Sequence, residues 1–170
     1  MIDLTGFDDL YQREFEPMLR LAYLLTGDRE TAAEVTHDAF VVTYERWSRL
    51  DRPGGYLRTT VVNRCRDVGR RRRFRSSAPV PDAAAGDTAD GGLVDAALAA
   101  AVAALPAKRR AAVVLRYYLD LGEADIAATL GVRPGTVKSL LSRGLAELRA
   151  ALAEPTSLSA EPNDPEGTPT

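Results

Sequence analysis

Residues 121–152 read LGEADIAATLGVRPGTVKSLLSRGLAELRAAL, which is two segments of helical periodicity separated by a glycine. In the first segment Ile126 and Leu130 share one face of a helix. Gly131 can adopt the left-handed conformation that ends a helix, and Pro134 has the backbone angle suited to the first turn of the next one. The pattern predicts a helix-turn-helix, a unit that reads DNA through its second helix.

The second helix of this unit has an apolar side and a polar side. Apolar residues recur at spacings of three and four and predict one continuous buried stripe. Arg133 occupies the expected N-cap, where a short polar side chain is usual, so we interpret it as a phosphate contact. An ordinary solvated helical hairpin remains the alternative. The stripe comprises Val137, Leu140, Leu141, Leu145, Leu148 and Leu152. The polar side carries Lys138, Ser139, Ser142 and Arg143 close to the helix N-terminus.

The charges are segregated along the chain, although the net charge is only −2. Residues 64–75 hold seven arginines and one aspartate, a local charge of +6. Residues 76–95 hold four aspartates and no basic residue, and residues 154–170 hold four acids and no basic residue. This distribution excludes a uniformly basic coat for nucleic acid. An arginine run continuous with a packed helix is suited to neutralising phosphates, and a solvated tail is the alternative.

Several functional classes lack their usual residues. With Cys65 as the single cysteine and His37 as the single histidine, we expect no intramolecular disulfide, no metal site and no cofactor. The carboxylates are scattered and no glycine-rich phosphate loop is present, so we do not expect an enzyme. No apolar run reaches the roughly 18 residues of a membrane span, and no export signal is recognisable. We therefore expect a soluble, cytoplasmic protein without membrane insertion.

Composition divides the chain into two small domains. Both have helical periodicity, so the predicted fold class is all-α. We expect a first domain over residues 1–75, a flexible acidic linker over 76–92, a second domain over 93–153 that contains the helix-turn-helix, and a disordered acidic tail over 154–170. The linker of about 17 residues could reach at most roughly 60 Å, enough to place the domains one and a half DNA turns apart.

Three helices are predicted in the first domain. The first runs from Phe7 to Leu25 and is bent or restarted near Pro17, and the second runs from the Asp28 cap to about Trp47. A loop over residues 48–55 precedes a third helix over 56–74, in which we expect Gly69 to cost about 1 kcal/mol relative to alanine, so that the helix ends or flexes there. The polar side of the second helix could bind a partner helix or face only solvent.

The whole pattern resembles the bacterial sigma factors of the extracytoplasmic-function type, the minimal two-domain members of the sigma-70 family. Residues 32–47, AAEVTHDAFVVTYERW, are similar to the family's polymerase-binding helix. Residues 56–73, YLRTTVVNRCRDVGRRRR, are similar to its promoter-melting helix, and residues 104–121, ALPAKRRAAVVLRYYLDL, precede the helix-turn-helix as they do in the family. The chain departs from many relatives at Val68 and Gly69, where they carry tryptophan and another hydrophobic residue.

The resemblance implies a dissociable promoter-specificity subunit with no catalytic activity of its own. Its implied partners are RNA polymerase core, through the clamp helices of the largest subunit and the flap of the second-largest, and promoter DNA, with an inhibitory anti-sigma factor as a candidate regulator. The clamp helices would contact His37, Asp38, Val41, Val42 and Glu45. The opened -10 element would be held by Arg52 in the 48–53 loop and by Asn63, Arg64, Arg70, Arg71, Arg72 and Arg73. The -35 duplex would be read by Arg133, Pro134, Gly135, Thr136, Lys138, Ser139, Ser142 and Arg143.

A rival hypothesis is a self-sufficient helix-turn-helix regulator that binds duplex DNA as a dimer and needs no polymerase. This hypothesis accounts for residues 121–152 but leaves the first domain without a role. No heptad seam or ligand-binding domain that would support such a dimer is recognisable. Association with polymerase core would discriminate the two hypotheses.

Overall fold

The computed structural model describes residues 4–75 and 96–153, and within these ranges every regular element is helical. The all-α prediction is therefore confirmed. The expected linker over 76–92 and the expected tail over 154–170 lie outside the described residues. The helices are α1 (Leu4–Thr26), α2 (Arg29–Glu45), α3 (Pro53–Arg75), α4 (Ala96–Ala104), α5 (Ala107–Tyr117), α6 (Glu123–Leu130) and α7 (Pro134–Ala153), with a 3-10 turn at Trp47–Arg49 between α2 and α3.

Helices α1, α2 and α3 pack pairwise into an N-terminal lobe. In α3 the buried residues are Leu57, Val61, Val62 and Cys65, which recur along the side that faces the other two helices. An aromatic cluster closes one side of the lobe, where the Phe7 ring meets the edges of Tyr44 and Trp47 at centroid distances of 5.0 and 5.4 Å. The core of this lobe comprises Leu10, Met18, Leu21, Ala22, Ala32, Val35, Ala39, Phe40, Leu57, Val61, Val62 and Cys65.

The turn from α1 into α2 follows the capping prediction. Gly27 has a φ of 71°, which lets the chain reverse, and the Asp28 carboxylate accepts a hydrogen bond from the Thr31 amide at 2.8 Å. Two buried polar residues of α2 were not predicted as core. Thr36 and Thr43 are buried because each hydroxyl donates to the carbonyl four residues earlier, at 2.7 Å, which satisfies it inside the helix.

The predicted start of α3 is wrong, and at Pro17 and Gly69 the structure excludes one of the two expected alternatives, the restart of α1 and the end of α3 respectively. α1 is continuous across Pro17 rather than restarted there. α3 begins at Pro53, three residues before the predicted start, because proline suits a first turn in which its missing N–H needs no partner. α3 also continues past Gly69 to Arg75, since the cost of one glycine is small compared with the packing of a 23-residue helix.

Helices α4 to α7 form a C-terminal lobe in which α5 and α7 cross closely. Gly144 makes this crossing possible, because a Cβ at that position would lie 2.8 Å from Val113 Cγ2. The side chains buried in this lobe are Ala101, Val102, Leu105, Ala111, Ala112, Val113, Val114, Leu115, Leu121, Ile126, Ala127, Thr129, Leu130, Val137 and Leu148.

The predicted continuous stripe on α7 is only partly correct. Val137 and Leu148 are buried, whereas Leu152 is 48% exposed. Residues 151–153, the end of this 20-residue helix, are all exposed, so Leu152 lies in a turn that the other described helices leave uncovered. Leu140, Leu141 and Leu145 are partly buried.

The two lobes contact each other in the structure. α1 packs against α4 and α5, and α3 packs against α5 and α6. Among the described residues, no helix combines the length and the apolar character that crossing a membrane requires.

Candidate nucleic-acid interface

The turn between α6 and α7 has the geometry predicted for a helix-turn-helix. Gly131 ends α6 in the left-handed region, with φ 64° and ψ 40°, and the Val132 amide donates back to the Ala127 carbonyl at 3.0 Å. The Arg133 carbonyl accepts hydrogen bonds from the amides of Thr136 and Val137 at 2.9 and 3.3 Å. These bonds go to the backbone of Arg133, so its exposed side chain is not needed to cap α7 and is available for a ligand.

The residues predicted to read duplex DNA form one exposed surface at the start of α7, which we call the recognition face. Its only ion-pair contact within the described residues is loose, with Lys138 Nζ 3.9 Å from Glu123 Oε2. The Ser139 hydroxyl donates to the Thr136 carbonyl at 2.9 Å and can exchange that bond for a base edge. The exposed residues are Arg133, Pro134, Gly135, Thr136, Lys138, Ser139, Ser142 and Arg143.

The electrostatics of the recognition face favour an anion. Pro134 has no amide hydrogen and the amides of Thr136 and Val137 are bonded to the Arg133 carbonyl, so the Gly135 amide is the one without an intrahelical acceptor at the start of α7. The helix dipole adds partial positive charge there. Lys138 and Arg143 supply two full charges on exposed side chains. A phosphate backbone could therefore be held at the helix start while side chains of the next turn reach base edges.

The arginines at the C-terminal half of α3, residues 64–75, form a second cationic surface, which we call the basic stretch. Several of them are engaged by acids of the protein. Arg64 Nη1 lies 2.8 Å from Asp38 Oδ2 on α2, and Arg70 Nη2 lies 3.0 Å from Asp67 Oδ1 on α3 itself. The structure thus pairs Arg64, predicted to bind DNA, with Asp38, predicted to bind polymerase.

Arg72 ties the basic stretch to the turn between α1 and α2. Its guanidinium donates to the Thr31 hydroxyl at 2.7 Å and lies 3.4 Å from Asp28 Oδ2. Hydrogen bonds from the Thr31 hydroxyl and amide, with a smaller contribution from Arg72, lower the pKa of Asp28 below its ordinary value of 3.8. Arg72 therefore stabilises the N-terminal lobe as well as contributing positive charge.

The remaining residues predicted for the -10 element are spread along the whole length of α3 rather than gathered at one end of it. Arg52 lies exposed just before α3, and Asn63 and Arg71 are exposed along α3. No ion-pair partner of Arg71 is found among the described residues. The side chain of Arg73 lies outside the described part of the chain.

The predicted polymerase-binding residues lie on the outer side of α2. His37, Asp38 and Glu45 are exposed, Val41 is 42% exposed and Val42 is half-buried. An exposed valine beside charged residues on a helix is suited to contact with another helix.

Arg66 was missed by the sequence analysis, although it lies within the basic stretch. It is half-buried, and its Nη1 donates to the carbonyl of Leu130 at the end of α6, 3.2 Å away. The partner lies 64 residues away in the sequence, so no local pattern could have predicted the contact. The clue that sequence could offer was only its position among the other arginines.

Arg109 and Arg110 link helices of the C-terminal lobe. Like Arg66, they were not predicted as site residues. Arg109 forms an ion pair with Glu147, which joins α5 to α7. Arg110 donates to the carbonyls of Ala103 and Leu105 at the end of α4, the latter at 3.1 Å. These arginines act on backbone carbonyls and a carboxylate inside the protein rather than on a ligand.

Comparison with known proteins identifies both lobes. Sigma-70 region 2 matches residues 10–75, and sigma-70 region 4 matches residues 95–148. The class is thus that of the sigma-70 proteins, with the helix-turn-helix in region 4. The ECF RNA polymerase sigma factor SigE of Mycolicibacterium smegmatis is 33% identical, covering 93% of this chain and 66% of that protein. RNA polymerase sigma-E factor of Streptomyces avermitilis is 32% identical, covering 88% of this chain and 87% of that protein. The chain belongs to the sigma-70 family, in its extracytoplasmic-function group.

A solved structure shows the same fold at low sequence identity. The sigma factor RpoE of Bartonella quintana, crystallised with the anti-sigma factor NepR, superposes with a TM-score of 0.71 at 21% identity. The match covers 86% of this chain and 96% of that one. The two-lobed helical fold is therefore shared with that protein. The matched sigma-70 regions and the curated relatives show that the chain is a sigma subunit of RNA polymerase.

Proposed function

We propose that the recognition face of α7 reads the -35 promoter element as duplex DNA. The single observation that supports this most is the exposure of all eight predicted residues around the start of one helix, behind a well-formed turn. A helix presented in this way fits the major groove, and Lys138 and Arg143 can donate to guanine edges or phosphates. This surface needs no rearrangement before it binds.

The N-terminal lobe is proposed to hold the -10 element in its opened form. Arg52, Asn63, Arg64 and the arginines at 70–73 provide a cationic surface, and single strands are retained by cationic grooves with pockets for unstacked bases. The pairing of Arg64 and Arg70 with acids implies that phosphates replace carboxylates when DNA binds. In this proposal residues 1–75 and 93–153 are separate functional domains joined by the 76–92 linker.

Polymerase core is proposed to dock on both lobes. The clamp helices of the largest subunit would contact the outer side of α2, where Val41 is exposed beside His37, Asp38 and Glu45. The flap of the second-largest subunit would contact the C-terminal lobe, which exposes large apolar side chains at Leu98, Tyr117 and Leu152. The chain would act in the cytoplasm, without a cofactor and without catalysis of its own.

An anti-sigma factor is proposed as the regulator of this chain. The relative from Bartonella quintana was crystallised with such a partner, and neither matched region of this chain is a sensor domain. An inhibitor that covers the outer side of α2 would block polymerase without contacting DNA.

The test is run-off transcription with purified polymerase core and this protein on a library of random promoters. We expect transcripts that share two upstream motifs, and loss of those transcripts when Lys138 and Arg143 are both replaced by alanine. If core neither transcribes nor co-purifies with the protein, while the protein alone retards specific duplex DNA, the polymerase-dependent role is overturned in favour of a stand-alone regulator.

A further inference from the structure

Hydrogen bonds cross directly between the described parts of the two lobes. Arg66 on α3 donates to the Leu130 carbonyl at 3.2 Å, and Arg110 on α5 donates to the Leu25 carbonyl at 2.9 Å. The Tyr118 hydroxyl, just after α5, donates more weakly to the Pro17 carbonyl of α1, at 3.4 Å. These contacts complement the packing of α1 and α3 against α4, α5 and α6.

The two arginine contacts have a shared physical basis. Leu130 is the last residue of α6, and Leu25 is the next-to-last residue of α1. Carbonyls in the last turn of a helix lack an intrahelical partner and carry the negative end of the helix dipole. A guanidinium placed there satisfies the carbonyl and neutralises the dipole, so each lobe supplies one cation to a helix end of the other.

The Arg66 contact joins α3, which carries the basic stretch, to the end of α6, which leads directly into the recognition face. Arg66 lies two residues after Arg64, within the basic stretch, while Leu130 lies three residues before Arg133, which begins the recognition face. Three residues of chain reach at most about 11 Å. The closed arrangement therefore holds the -10 and -35 binding surfaces side by side.

Side-by-side binding surfaces are incompatible with a bipartite promoter. Sites separated by at least one and a half turns of duplex lie about 50 Å apart or more along the helix axis. A single straight promoter cannot meet both surfaces while Arg66 remains on the Leu130 carbonyl. Simultaneous recognition requires the lobes to separate, and the residues between them are numerous enough to reach about 60 Å.

We propose that Arg66 is a switch cation, which closes the free protein by binding the Leu130 carbonyl and binds a DNA phosphate once the lobes have separated. This inference rests on the proposed function. The outer side of α2 stays exposed in the closed arrangement, so polymerase core can dock before opening. Core binding would then separate the lobes and release Arg66, which shares a side of α3 with Arg70, one turn later in the basic stretch.

The closing contact can be measured in the full-length protein by energy transfer between dyes on the two lobes. Cysteines introduced as Ala33→Cys on α2 and Ala146→Cys on α7 are exposed positions. Cys65 is buried, and burial raises the pKa of its thiol to about 12, so the dyes attach to the introduced cysteines at neutral pH. Arg66→Ala is compared with Arg70→Ala, which removes the same charge from the same helix but breaks only the contact with Asp67.

We expect high transfer efficiency in the free protein and lower efficiency on adding core. Loss of a charged hydrogen bond should raise the ratio of open to closed molecules about tenfold in Arg66→Ala, with no change in Arg70→Ala. Equal efficiency in Arg66→Ala and the parent protein would overturn the closing role. The closing role would also be overturned if the labelled protein supports transcription while its energy-transfer efficiency does not fall on core binding. That result would leave the proposed function intact.

The DNA-binding role of Arg66 has a separate readout in the assembled polymerase. The dependence of promoter affinity on salt should fall by about one unit of logarithmic slope in Arg66→Ala and be retained in Arg66→Lys, which keeps the charge. A purely structural role would leave this slope unchanged in both variants, and that result would overturn the phosphate contact. If core fails to bind while Arg66→Ala still opens the free protein, the proposed function fails and the closing contact stands.

Discussion

The recognition face of α7 and the basic stretch of α3 are both cationic surfaces on helices, yet their charges are held differently. On α7 the side chains are exposed, and the nearest acid to Lys138 is 3.9 Å away. On α3, Arg64, Arg70 and Arg72 each lie within 3.4 Å of a carboxylate oxygen. If both surfaces bind DNA as proposed, the recognition face has side chains free to do so, whereas the basic stretch would have to exchange internal partners for phosphates.

This difference fits the two forms of DNA that the surfaces are proposed to bind. Duplex DNA is a rigid partner, and a rigid helix with free side chains docks into its groove with little reorganisation. An opened strand forms only after polymerase and duplex have assembled. Arginines that are paired in the free protein limit premature binding to other nucleic acid, and exposed ion pairs are weak enough for phosphates to replace them.

The largest effect is expected from the double substitution Lys138→Ala and Arg143→Ala in the recognition face. Each side chain is expected to contribute about 1–3 kcal/mol to base or phosphate contacts, so promoter affinity of the assembled polymerase should fall by about 100-fold or more. Binding titrations on a promoter recovered from the transcription library measure the loss. The matched control is Lys108→Ala with Arg149→Ala, which removes the same charge from exposed positions outside the recognition face. Equal losses of promoter affinity in the two double variants would show that overall charge, rather than the recognition face, determines the affinity.

The close crossing of α5 and α7 is tested by Gly144→Ala. The new methyl group would lie 2.8 Å from Val113 Cγ2, and overpacking of this kind costs about 1–3 kcal/mol, more than the helix propensity that alanine gains. Urea unfolding should show the loss in the free energy of unfolding. Gly135→Ala, on the same helix with no atom within 4 Å of its added Cβ, should leave stability unchanged or slightly raised. Similar stability for the two variants would contradict the close crossing.

The contact between Arg72 of the basic stretch and the turn between α1 and α2 is tested by substituting Asp28. Asp28→Ala removes the N-cap of α2 and should lower the free energy of unfolding by about 1 kcal/mol at pH 7, whereas Asp28→Asn keeps the cap and should cost only a few tenths. The pKa of Asp28 is lowered in the folded protein, so its charged form adds stability above its ordinary value of 3.8.

That stabilisation should decrease as the pH falls below about 4, because the unfolded chain takes up the proton first, and it is lost once the folded protein is protonated as well. Urea unfolding at pH 7 and at pH 3 should therefore show the parent protein converging on Asp28→Asn only at the lower pH. An advantage of the parent that is independent of pH would argue that the carboxylate charge, and hence Arg72, contributes nothing there.

The smallest effect is expected when one paired arginine is released. Asp67→Asn leaves Arg70 without its carboxylate and should strengthen binding of a single-stranded oligonucleotide about two- to threefold at low salt, with the gain shrinking as salt rises. Asp9→Asn removes the same charge from an exposed position on α1 and serves as the control. Identical gains in both variants would show that net charge, rather than release of Arg70, decides the affinity.

Local features were predictable from the sequence because their causes are local. The helix-turn-helix follows from Gly131, Pro134 and the spacing of apolar residues, and the Asp28 cap follows from one side chain and the next turn of chain. The start of α3 at Pro53 was predicted wrongly, and α3 does not end at Gly69, since packing of the whole helix outweighs the preference of a single residue.

The sequence by itself determined the helical class, the recognition unit and the segregation of charge, because periodicity and charge are properties of neighbouring residues. Only the tertiary structure decided which arginines are paired, since Arg64 and Arg66 meet partners 26 and 64 residues away. It also decided that α7 needs a glycine at residue 144 and that its last turn is left uncovered. Such contacts depend on how helices cross, which packing of the whole fold sets.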